Sequence, residues 1–187
     1  LYIILTAPDF VTTKLYNKEA TVLYDRDNNE IARVGEENRE LITYNDLPQV
    51  LIDALVATED SRFFQHNGFD AARFFTASIK QALGKDAGGA STLTMQLAKN
   101  VYNGKDVSIV RKFKDIYMAV FKIEKAYTKE EIIEFYMNTQ WLGYGSANYD
   151  GIYGIEQASQ TYFGKHVSDL SLPEAAMLVG MFNNPSY

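Results

Sequence analysis

The sequence predicts a mainly α domain with a short β element near its N-terminus. Three observations point there. The chain has 187 residues, 47% of them hydrophobic, enough to bury a core in one domain or in one domain with a small lobe. From Pro48 onward the apolar residues recur at helical spacing. Only residues 20–44 read as extended, and there "ATVLYDRDNNEIARV" places two short apolar runs on either side of an Asp-Asn-Asn turn.

Taken in order, the opening run "LYIILTA" is short and apolar, the end of an anchor segment or an opening strand. Residues 1–45 form an extended/β segment, and residues 46–187 form the principal domain. Pro48 suits a first helical turn. Helices are expected at about 48–65, 70–83, 91–102, 108–126, 129–138, 153–163 and 172–182. Thr128 with Glu131 and Ser171 with Glu174 are capping-box pairs, and Gly164 is a helix stop. The stretches "GKDAGGAST" and "WLGYGSANYDGIYG" separate helices and read as mobile or ligand-facing.

Composition removes several classes. The absence of cysteine excludes disulfides and thiolate metal sites, and His66 and His166 are the only imidazoles, which argues against a histidine-built metal centre. A net charge of -6 does not suggest nucleic acid. The stretch Lys99–Lys129 nevertheless carries eight Lys and Arg against three acids. That excess is a solvated helix face or a site for an anionic ligand. No run approaches the ~18 apolar residues of a membrane span.

The chemistry-bearing candidates start with Glu59. On a helical wheel over residues 50–63, Leu51, Ile52, Leu55, Val56 and Phe63 form an apolar arc that includes Glu59, while Asp53 and Asp60 fall on the opposite, wet side. A carboxylate in an apolar wall is pushed toward a pKa useful for proton transfer. A buried ion pair with Arg62 is the competing reading. In "GGASTLTMQLAKN" a glycine-led helix start at Ser91 is followed by Thr92, Gln96, Lys99 and Asn103 on one polar stripe, an arrangement that favours phosphate or merely caps an amphipathic helix. Farther on, Ile109, Phe113, Ile116, Val120 and Ile123 form the expected buried stripe. Arg111 and Asp115 lie opposite at i, i+4 with Lys112 beside them, and Glu124 falls on the apolar side as a second candidate buried acid.

Five segments, "EDSRFFQHNGFD" (59–70), "GGASTLTMQLAKN" (88–100), "RKFKD" (111–115), "KEEIIEFYMN" (129–138) and "GIYGIEQASQTYFGK" (151–165), resemble in order and spacing the peptidoglycan glycosyltransferase domain, glycosyltransferase family 51, of class A penicillin-binding proteins and monofunctional transglycosylases. The resemblance implies a lysozyme-like helical fold with a smaller membrane-proximal jaw lobe, to which "FDAARFFTASIKQALG" contributes. It implies polymerisation of lipid II with inversion and release of undecaprenyl pyrophosphate, on the extracytoplasmic face of a bacterial membrane reached through an N-terminal anchor. By motif, Glu59 is the implied base, Asp115 a second functional acid, and Ser91, Thr92, Gln96, Lys99, Arg111 and Lys112 the pyrophosphate and sugar contacts. Asp60, Arg62, His66 and Glu124 are additional candidates.

Two positions depart from the family pattern: Asp115 stands where Glu is usual, and Met95 where Gln is usual. No cofactor is implied, and Mg or Mn is the divalent cation to consider. The partners implied are lipid II, the growing glycan chain, the membrane surface and other cell-wall synthesis proteins, not nucleic acid. No Ser-x-x-Lys or Lys-Thr-Gly is present, so these residues hold no transpeptidase site. The rival readings are a lysozyme-like glycan-cleaving enzyme, which needs a lone Glu but no cationic diphosphate site, and a catalytically silent cell-wall scaffold.

Overall fold

The computed structural model describes residues 2–15, 21–24, 26, 30–34, 40–85, 89–103, 108–144 and 151–182. Parts of both glycine-containing loops, residues 86–88 and 145–150, lie outside this set, as do Lys105 and Asp106. The chain forms two compact units, one of Leu1–Phe10 with Leu55–Tyr136 and the other of Val11–Ala54 with Met137–Tyr187.

The first unit contains α1 (Tyr2–Thr6), the end of α2 (Gln49–Glu59), α3 (Ala71–Ala82), α4 (Leu93–Ala98), α5 (Ile109–Met118), α6 (Glu124–Ala126) and most of α7 (Lys129–Thr139). The opening run is thus a helical turn, not a strand. At the centre of the unit, α4 buries Leu93, Thr94, Met95, Leu97 and Ala98, packing against α5 and the turn after it. Phe63, Met118, Ala119, Ile123, Ile132, Ile133 and Tyr136 complete this core. The ring of Phe10 meets those of Tyr102 and Tyr127 at 5.9 and 6.3 Å. Burial, with Tyr127 adding to it, pushes the Tyr102 phenol up to about 12.

Two helices end in π turns: Lys99–Asn103 follows α4, and Ala119–Ile123 joins α5 to α6. A π turn holds an extra residue, so one wheel does not carry across it. The expected stripe on α5 already fails before that turn, within the regular helix. Ile123 is buried, but Ile109 is 79% exposed and Phe113 also faces out, whereas Asp115 and Met118 are inside. Gly68 packs against the same π turn with φ +83°. A Cβ there would meet the Ala119 carbonyl carbon at 3.0 Å, so both conformation and space demand glycine.

The second unit holds the expected hairpin, β1 (Thr21–Tyr24) antiparallel to β2 (Glu30–Val34), with Thr21 opposite Val34 and an irregularity between Leu23 and Tyr24. It also holds α8 (Ile155–Phe163) and α9 (Leu172–Met181). The Asn138 side chain ties in residue 42 by accepting the Ile42 N–H at 3.1 Å and donating to its carbonyl at 2.8 Å. Both predicted capping boxes form, and α8 ends on Gly164 in the left-handed region. The Ser171 hydroxyl, Lys165 and the Ser171 N–H hold the Glu174 carboxyl down at about 2. Among the described residues no helix is long and apolar enough to cross a membrane.

Candidate active site

The catalytic candidates lie in the first unit. Helix α2 ends at Glu59, whose residue is 7% exposed among core side chains. Its carboxylate accepts a hydrogen bond from Gln96 Nε2 at 3.0 Å, and Gln96 Oε1 in turn accepts from the Tyr136 hydroxyl at 3.0 Å. Glu59 is therefore buried, as its wheel position predicts, and its carboxylate meets the Gln96 amide. The Arg62 ion pair does not form: Arg62 instead grips both Asp70 carboxylate oxygens through the Nε and Nη2 edge of its guanidinium, at 2.8 Å for Nε. Burial pushes Asp70 upward, but the Arg73 N–H and the Arg62 guanidinium outweigh it and leave its pKa below the ordinary value.

Asp60 corrects the expectation of a wet side chain. The wheel assumed a helix to residue 65, but α2 stops at Glu59 and the chain turns through a 3₁₀ segment at Phe63–Gln65. Asp60 is fully buried. Its carboxylate accepts the Leu93 N–H at 3.0 Å, lies 3.0 Å from His66 Nε2 and stands 3.8 Å from Arg73 Nη1. The Arg73 guanidinium also donates to the Glu59 carbonyl at 2.8 Å. Asp60 thus joins the residue after Glu59 to the first residue of the helix that carries Gln96. Ligating atoms of Asp60, His66 and Asp70 come within 4.8 Å of one another, and the two carboxylates are shared among Arg62, Arg73 and the backbone N–H groups of Leu93 and Arg73.

The start of α4 also differs from expectation. The N-cap is Thr92, not Ser91. The Thr92 hydroxyl accepts the Met95 N–H at 3.2 Å and donates to the Gly68 carbonyl at 2.7 Å. With the Leu93 N–H held by Asp60 and the Met95 N–H by Thr92, these two donors of the helix start serve the fold. Ser91 is half-buried and Lys99 exposed, while Asn103's side chain is outside the described set. Met95, where glutamine is usual, is in the core.

On α5, Asp115 is buried and Arg111 Nε lies 3.5 Å from its carboxylate, with side-chain exposures of 6% and 17%. This is no surface salt bridge. The buried Arg111 Nε has no hydrogen-bond partner among the described residues, and Lys112 beside it is half-buried. The Glu124 side chain is only 5% exposed, in line with the wheel, but it is engaged: Lys129 donates to it at 2.8 Å and Thr94 at 2.6 Å, and the Lys129 ammonium sits 4.2 Å from the Phe63 ring centre. A separate recess of about 390 Å³ is lined by Ser61, Arg62, Arg73, Thr76 and Lys80.

Two contributors escaped sequence reasoning, Arg73 and Tyr136. Tyr136 had a signal, since it shares a helical face with Ile132 and Ile133, and a buried phenol needs a partner for its hydroxyl.

Comparison with known proteins fits this geometry. The chain is 38% identical over 187 residues to penicillin-binding protein 1A of Escherichia coli (strain K12), covering 99% of this chain and 21% of that protein. It is 40% identical over 193 residues to penicillin-binding protein 1A of Clostridium tetani (strain Massachusetts / E88), covering 100% and 24%. Against penicillin-binding protein 1F of Bacillus subtilis (strain 168) the identity is 36% over 174 residues, covering 92% and 23%. The chain thus spans about a fifth to a quarter of these relatives' length. The model of the transglycosylase family matches residues 27–187. A buried glutamate on a glutamine, a buried Arg–Asp pair and a match over most of its length lead to one conclusion: the chain belongs to the transglycosylase family.

Proposed function

We propose that this domain is a peptidoglycan glycosyltransferase that polymerises lipid II. The observation that carries the reading is Glu59, a buried carboxylate held by a hydrogen-bond donor at the end of α2. Glu59 takes the proton from the 4-hydroxyl of the acceptor sugar. The hydroxyl oxygen then attacks the anomeric carbon of the growing chain, and the bond to undecaprenyl pyrophosphate breaks with inversion. The leaving diphosphate gathers negative charge, which Lys99, Arg111 and Lys112 offset. The Asp115 carboxylate orients Arg111. These cations favour glycosyl transfer from a diphosphate over glycan cleavage, which has no such leaving group.

The chain's own cations, and no obligatory cofactor, meet the diphosphate in this scheme. Assays with and without Mg or Mn check that point. The membrane surface is the proposed second partner, supported by exposed apolar residues of the first unit: Tyr2, Ile4 and Leu5 on α1, Phe75 and Ile79 on α3, and Ile109 and Phe113 on α5. The reading sets the enzyme at the extracytoplasmic face of a bacterial membrane, where lipid II is used and where other cell-wall synthesis proteins are its expected neighbours. Labelled lipid II incubated with the domain and resolved on a gel tests the function. Polymer ladders support it, digestion of pre-formed strands makes the domain a glycan-cleaving enzyme, and no change makes it a scaffold.

A further inference from the structure

The amide of Gln96 stands between two groups of opposite demand. An ionised carboxylate only accepts hydrogen bonds, whereas a carboxylic acid has a proton to donate. The Tyr136 hydroxyl donates to Gln96 Oε1 at 3.0 Å, so the amide turns its Nε2 donor toward Glu59, again at 3.0 Å. We propose that Tyr136 is a positioning residue that holds Glu59 in its proton-accepting form by fixing the orientation of the Gln96 amide. Turning the amide over would set Oε1 against the Glu59 carboxylate and Nε2 against the phenol.

The surroundings suit this role. Tyr136 is fully buried on α7, where its ring packs with the core and its hydroxyl is the polar atom directed at Gln96. Burial, and after it the charge of Glu59, push the phenol pKa up, which keeps Tyr136 a neutral donor. Of the other charged groups on the surrounding elements, Asp60 follows Glu59 and is engaged with His66 and Leu93, and Arg73 from α3 reaches the Glu59 carbonyl. Lys99 lies beyond Gln96 in the π turn, and Arg111 and Asp115 of α5 face each other. The two hydrogen bonds through Gln96 link the phenol of α7 to the carboxylate of α2 by way of α4.

The inference rests on reading Glu59 as the base, but its test does not require turnover. The Glu59 carboxyl is titrated by carbon NMR in glutamate-labelled full chain, with Glu59→Gln to assign the signal. Tyr136→Phe keeps the ring and removes the hydroxyl, and Gln96→Leu removes the amide. Each should raise the Glu59 midpoint by about one pH unit, the scale of one charge-assisted hydrogen bond. The double variant should move it no further, since both act through one chain of bonds. Base catalysis needs the ionised form, so the acid limb of the kcat/KM profile should shift to higher pH in step. An unchanged midpoint in Tyr136→Phe, or shifts that add in the double variant, overturns the proposal. If Tyr136→Phe does not fold, a Gln96→Leu midpoint equal to wild type overturns it equally. A wild-type chain that makes no polymer counts against the proposed function alone.

Discussion

Asp60 and Glu59 are neighbours with different work. Glu59 meets Gln96, while the buried carboxylate of Asp60 caps the first N–H of α4 and contacts His66. Asp60→Asn should therefore destabilise the chain by about 1–3 kcal/mol, because a buried charged acceptor is lost to its partners. In a chain of this length that lowers Tm by roughly 2–4 °C per kcal/mol, and an unchanged melt contradicts it. The position of Glu59 was legible because its helix is regular up to that residue. Asp60 was not, since it stands where the helix ends and its partners come from residues up to 33 positions away. A second pair of acids separates in the same manner. Glu124 is saturated by Lys129 and Thr94, and Asp115 faces Arg111. Asp115→Ala should cut turnover tenfold or more, Asp115→Glu should retain it, and Glu124→Gln should keep activity while melting earlier. Full activity in Asp115→Ala beside loss of activity in a folded Glu124→Gln reverses the assignment.

Among the elements, spacing placed the helices within a few residues except α2, which stops at Glu59 instead of running to residue 65, and the turn chemistry of both capping boxes and of Gly164 was read correctly. Elsewhere what failed was face. π turns follow α4 and α5, so one wheel does not carry past them, and no local residue pattern announced them. On α5 itself Ile109 and Phe113 point outward, to the solvent side that the polar residues were expected to take. Helix α3 shows the same outward apolar character, with Phe75 and Ile79 one turn apart. If these residues meet a lipid surface, replacing both Phe75 and Ile79 with Ser should weaken binding to phospholipid vesicles more than tenfold, since burying one such side chain contributes about 1.5–3 kcal/mol. Co-sedimentation equal to wild type would show that the stripe does not enter lipid.

At the scale of the whole molecule, a chain of net charge -6 keeps a positive stretch between residues 99 and 129. That contrast suits an enzyme whose leaving group is a diphosphate. The family could be recognised from five short motifs. The side-chain network among them, with Arg73 and Tyr136 as its unannounced members, depends on contacts that only folding creates. The central claim is that one buried carboxylate acts as the base. It is tested most directly by Glu59→Gln, which preserves size and hydrogen-bonding capacity but cannot accept the acceptor's proton. On labelled lipid II the wild-type chain should build polymer ladders. The variant, melting at the same temperature and still binding lipid II, should lose at least ~10²-fold in rate, the usual contribution of general base catalysis. Ladders formed by the variant at near wild-type rate would contradict the account.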